Sequence, residues 1–169
     1  MSVDPHSPTV GLRPPRHPLD PRAVSWWRVD LTLACVAPVG LLVVLGMLIR
    51  PARWWLLGSA AALAAIAVPV VALLPLWWYR VHRWEISDTA VYTRSGRVWQ
   101  EWRAAPLSRI QTVDTEVGPL QQRFGLATLT VTTASSKGAV KIAGLDRAVA
   151  AELAEHLTRT TEAVPGDAT

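Results

Sequence analysis

Cysteine, internal charge and catalytic signatures are what this sequence lacks. A single cysteine in 169 residues, Cys35, excludes a disulfide framework and a multi-thiolate metal site. Charged residues make up 18% of the chain, against about 25% in an ordinary soluble domain. The deficit is local, because residues 31–49 and residues 54–79 contain no charged side chain at all. There is no Gly-rich phosphate loop, no paired-carboxylate signature and no metal-ligand spacing. Cys35, His82 and His156 stand without a motif around them, and His6 and His17 are eleven residues apart in a proline-rich stretch. The chain is therefore expected to be no enzyme and to hold no cofactor and no metal.

The two uncharged runs are the first positive signal. Nineteen helical residues rise roughly 28 Å, about the thickness of a bilayer's hydrocarbon core, and the second run of 26 residues spans it with room to tilt. Eleven Leu, Ile and Val residues in the first run favour insertion by roughly 3 to 7 kcal/mol in sum. Only Arg50-Pro51-Ala52-Arg53 separates the runs, so the sequence predicts a transmembrane hairpin with helices near 29–49 and 54–78. Six of the nine tryptophans stand in pairs at its edges, Trp26-Trp27, Trp54-Trp55 and Trp77-Trp78, the placement of membrane-interface anchors. A proline-rich lead of about 30 residues before the first run, and no small-residue cleavage site after it, argue against a signal peptide.

Arginine sets the orientation. Arg13, Arg16, Arg22 and Arg28 precede the hairpin and Arg80 and Arg83 follow it, against Arg50 and Arg53 in the turn, so both termini are expected in the cytoplasm. The pI of about 10.0 belongs to this half: residues 1–83 carry eight arginines against three aspartates, residues 84–169 nine basic against ten acidic side chains. That distribution speaks for topology and attraction to the bilayer and against a nucleic-acid partner. Pro38, Pro69 and Pro75 can kink the helices, while Gly58 and its neighbouring alanines allow close packing against Gly40 and Gly46, or a seam with a second copy. With no ionisable residue inside either span, the hairpin reads as an anchor rather than a channel or transporter.

The flanks read differently. Six prolines and little apolar periodicity in residues 1–22 predict an unfolded tail, and residues 162–169 a second one. Residues 23–79 are the hairpin and residues 80–161 a domain of strands closed by a helix. Strands are expected over 81–87, 90–94, 97–103, 108–116, 127–133 and 139–143, with a tight hairpin at Ser95-Gly96 and a break at Gly118-Pro119. In 127–133 Ala127, Leu129 and Val131 alternate with threonines, giving one apolar and one hydroxyl face. Asp146 is a candidate N-cap for a helix whose stripe is Val149, Leu153 and Leu157, widened by Ala150 and Ala154.

The stretches Pro106-Leu107-Ser108-Arg109-Ile110, Gly118-Pro119-Leu120, Arg123-Phe124-Gly125-Leu126-Ala127 and Ile142-Ala143-Gly144-Leu145 resemble the membrane-flanked bacterial pleckstrin-homology (PH) domain proteins of the YdbS-like type. The short tail and two-helix hairpin match that layout too. The resemblance implies an α+β PH-like fold, a bent antiparallel barrel or sheet capped by the C-terminal helix, at the inner face of the bacterial cell membrane. It also implies assembly with a second membrane protein, one with several PH-like domains, since relatives are often encoded beside such a protein. It carries no assigned reaction.

Two binding roles follow. One is protein binding, by strand addition or through an apolar patch at Phe124; a second copy of the chain is also a candidate partner. The other is binding of anionic lipid headgroups, for which Arg94, Arg97 and Arg103 are the candidate contacts. The first hairpin turn, Ser87-Asp88-Thr89, supplies no basic residue for phosphate. Salt bridges from these arginines to Glu85 and Glu101 are the plainer use of them.

Overall fold

A computed structural model describes residues 15–87, 89–96, 100–134 and 138–163. Helix α1, Arg22–Leu48, and helix α2, Arg53–Val81, form an antiparallel pair joined through Ile49 and a 3₁₀ turn, Arg50–Ala52. Twenty-seven and 29 residues rise about 40 and 43 Å, roughly 10 Å more than the hydrocarbon core, so each helix extends beyond the membrane. Apolar side chains along the middle of the pair point outward, among them Leu41, Val68 and Leu73. In water such a continuous apolar surface would aggregate; in a bilayer it faces lipid, and the helices satisfy their own backbone hydrogen bonds.

Two antiparallel sheets follow. The first has the order β1–β2–β3–β4, with β1 His17–Pro18, β2 Arg83–Ile86, β3 Ala90–Ser95 and β4 Glu101–Pro106. The second has the order β5–β6–β7, with β5 Ile110–Glu116, β6 Leu126–Thr133 and β7 Val140–Asp146. A six-residue helix α3, Pro119–Phe124, links β5 to β6, and α4, Arg147–Ala163, packs across the second sheet. Val91, Leu126, Leu129, Val131 and Leu157 are fully buried at the centre of one core. This is the hairpin followed by a PH-like domain that the sequence predicts.

Several local expectations give way. Residues 15–22 do not belong to an unfolded tail: β1 pairs with β2, His17 opposite Trp84 and Pro18 opposite Arg83, and Arg22 opens α1. Residues 1–14 and 164–169, assigned to the two tails, lie outside the described residues. Strand β4 runs to Pro106, and the register that pairs Ser95 with Glu101 excludes the tight turn expected at Ser95-Gly96; residues 97–99 of the expected strand lie outside the described residues. Helix α3 went unforeseen because six residues are too few for a periodic signal; Pro119 in its first turn and Gly125 with φ of 67° after its end are the marks that could have found it. Strand β6 is central, so its hydroxyl face is buried as well, and Thr128 accepts a 2.8 Å hydrogen bond from Gln121 Nε2. Along α4 the buried stripe is Ala150, Leu153, Ala154 and Leu157, at i, i+3, i+4 and i+7, and Val149 is exposed.

Candidate functional site

The base of the hairpin belongs to the core of the PH-like domain. Leu19, Ala23, Trp27 and Trp78 are buried in the same cluster as Leu129 and Leu157. Trp27 and Trp78 meet edge to face with ring centroids 5.8 Å apart, and His82 lies 5.4 Å from Trp27. The Nδ1 of His82 contacts the carbonyl of Trp78 at 2.8 Å, and Arg83 Nη1 donates to the carbonyl of Tyr79 at 2.8 Å, closing the C-terminal turn of α2.

A clasp holds the start of α1 against β7. The β6–β7 register slips by one residue between Ala127 and Thr128, leaving Gly144 as the extra residue of a bulge, with φ of 87°. Its carbonyl turns out of the ladder and accepts from Asp20 N–H at 3.1 Å. A Cβ at Gly144 would stand 3.0 Å from the Cβ of Ala23, so only glycine lets α1 approach this closely. Arg22 donates from Nε to Asp20 at 2.9 Å and from Nη2 to Asp146. The other oxygen of Asp146 accepts from Ala148 N–H at 2.8 Å, the N-cap expected for α4. Hydrogen bonding to Arg22 holds the carboxyls of Asp20 and Asp146 below the usual range; partial burial of Asp20 opposes this, and the cap bonds reinforce it at Asp146.

Strand β1 covers only part of the β2 edge. His17 stacks on Trp84 at 5.1 Å, Trp84 Nε1 donates to the carbonyl of Pro18 at 3.1 Å, and Arg16 N–H donates to Glu85 at 3.2 Å. Beside this edge His17, Trp84, Ile86, Glu152, Leu153 and His156 line a groove of about 360 Å³ with both polar and apolar walls.

The structure does not gather the candidate arginines on one surface. Arg94 pairs with Trp102 and Arg83, whereas Arg103 pairs with Thr93, one residue away and thus on the opposite face. Arg94 lies 5.3 Å over the Trp102 ring and donates to Gln100 at 3.1 Å. Arg103 donates to Glu101 at 2.8 Å and to the carbonyl of Ala139 at 3.0 Å. Arg97 lies outside the described residues. The six tryptophans expected as interface anchors also divide: Trp54, Trp55 and Trp77 are exposed, Trp26 is half-buried against the core, and Trp27 and Trp78 are buried. Phe124 is half-buried and packs on the core. The clasp went unread because its members are 124 residues apart in the chain; a glycine inside a strand was the available signal.

A two-helix membrane anchor whose base is built into a PH-like domain defines the class. The bacterial PH domain family matches residues 30–161, and the chain belongs to that family. It is similar to UPF0699 transmembrane protein YdbS of Bacillus subtilis (strain 168), with 24% identity over 125 residues, 72% of this chain and 79% of that protein. No solved structure matches it.

Proposed function

We propose that this membrane protein is a non-catalytic adaptor whose PH-like module contacts a second membrane protein. The observation that carries the reading is the shared core: with Trp27 and Trp78 inside the PH-like domain, the domain cannot swing on a linker and presents one fixed side at one height above the bilayer. A fixed pose lowers the ordering cost of meeting a partner confined to the same membrane. The half-covered β2 edge and the mixed groove beside α4 supply a surface for strand addition and side-chain contact.

The arginine distribution supports the bacterial inner membrane with both termini cytoplasmic, and Trp54, Trp55 and Trp77 as interface anchors. Residues 23–79 act as the anchor and 80–161 as the module, completed by residues 15–22. Headgroup reading by the β-strand arginines has less support, since Arg94 and Arg103 face apart and each is engaged.

Photo-crosslinking in native membranes tests the proposal, with the full chain carrying a photoreactive residue at position 156 or, as a control, at the exposed position 122. The expected result is one discrete adduct with another membrane protein from position 156, weakened by Glu152→Arg and absent from position 122. Adducts with lipid alone, or none, would overturn the adaptor reading; an adduct of twice the chain's mass would make the partner a second copy.

A further inference from the structure

A groove lies between the two helices of the anchor, lined by residues 28–40 of α1 and 64–72 of α2. Gly40, Ala64 and Ala67 fill little space there, leaving an almost wholly apolar groove of about 640 Å³ whose only ionic side chain is Arg28. A Cβ at Gly40 would meet no atom within 4 Å. Toward the turn the groove closes, since a Cβ at Gly46 would stand 3.1 Å from Leu57. Toward the PH-like domain its last lining residues are Arg28 and Ala72.

From Arg28 to Gly40 the groove runs about 18 Å, little more than half of the ~30 Å hydrocarbon core. That is the depth of one leaflet, on the side of the PH-like domain. A partner's transmembrane helix needs a seam through both leaflets, whereas an acyl chain needs only one. An apolar groove this large gains nothing from water, and left empty it would forfeit the dispersion contacts of its walls.

Arg28 sits at the mouth. Its Nη2 reaches the carbonyl of Ala72 on α2 at 3.4 Å, holding the guanidinium across the opening. Among the described residues no carboxylate lies within salt-bridge distance of it. A planar cation just beneath the interface matches the phosphate of a lipid whose chain descends into the groove. We infer that the groove between α1 and α2 binds one anionic phospholipid of the leaflet facing the PH-like domain, with an acyl chain along Gly40 and Ala64 and the headgroup phosphate on Arg28.

The test is native mass spectrometry of the full chain released from nanodiscs of phosphatidylglycerol and phosphatidylcholine mixed in equal amounts. The expected result is one retained phospholipid per chain, enriched in phosphatidylglycerol. Arg28→Gln should lower that enrichment roughly tenfold, the worth of one hydrogen-bonded charge contact, and leave a lipid of either kind bound. Gly40→Leu, which fills the groove, should abolish retention while thermal unfolding shows the chain still folded. Lipid retained without headgroup preference in the unmodified chain, or unchanged enrichment in Arg28→Gln, would overturn the inference. So would crosslinking of the groove residue Cys35 to another protein's helix.

Discussion

Tryptophan pairs stand at both ends of the hairpin in opposite surroundings. At the turn, Trp54 and Trp55 are 81% and 84% exposed; at the base, Trp27 and Trp78 are each 6% exposed and locked against one another. An amphipathic ring at a helix end can rest among lipid headgroups or fill a protein core, and its sequence neighbourhood looks the same in both cases. What separates the two ends is whatever lies beyond the membrane. Among the described residues none covers Trp54 and Trp55 at the turn, whereas α1 and α2 overshoot the bilayer at the base and meet a sheet.

Replacing the rings breaks this comparison most sharply. Trp78→Ala should destabilise the folded chain by about 3–5 kcal/mol, as for a large buried aromatic whose site cannot collapse. Trp54→Ala should leave the unfolding midpoint of the PH-like domain nearly unchanged, because the ring touches no part of that domain. Thermal unfolding in detergent, followed by near-ultraviolet circular dichroism, measures both. Equal effects at the two ends would mean that the base, too, merely rests in lipid.

Glycines offer the same contrast at smaller scale. Gly144 has a left-handed backbone and Ala23 waiting 3.0 Å from its missing Cβ, while Gly58 in α2 has nothing within 4 Å. Gly144→Ala should cost roughly 2–4 kcal/mol, from backbone strain together with forced separation of α1 from β7. Gly58→Ala should change stability by less than about 1 kcal/mol. Thermal unfolding of the two variants in detergent measures the difference, and equal costs at the two glycines would mean that α1 does not press on β7.

These contrasts explain what could be read from the chain alone. The hairpin, the run of strands, α4 and its Asp146 cap were legible because each is set by a local pattern: uncharged length, alternation, or a capping residue before a 3.6-residue stripe. The clasp and the split among the tryptophans depend on pairings between residues 20–27 and residues 78–146, and no local pattern encodes which face of a helix end will find a sheet. The arginines at 94 and 103 looked like a cluster because they are close in number; the register of β3 and β4 sends them to opposite faces. Residues 15–22 were misread for a related reason. Proline-rich composition suits a tail, yet Pro18 fits an edge strand, where a missing N–H costs no ladder bond.

Acid should loosen the clasp and leave the turn end untouched. The carboxyls of Asp20 and Asp146 are held below their ordinary value near 4, so in the unfolded chain they take up protons at a higher pH than in the folded one. Their contribution to stability is complete above that ordinary value and is lost as the pH falls through the lowered native values. The unfolding midpoint should thus stay flat from neutral pH down to about 5 and decline below about 4. Asp146→Asn keeps a capping oxygen on α4 while removing the charge that faces Arg22, so it should shrink the acid decline without costing the cap. Asp146→Ala removes both and should lower stability by a further 0.5–2 kcal/mol or so at every pH. A decline as deep in Asp146→Asn as in the unmodified chain would show that the acid sensitivity arises outside the clasp. The smallest of these effects is then the most local measure of how firmly the anchor grips the domain.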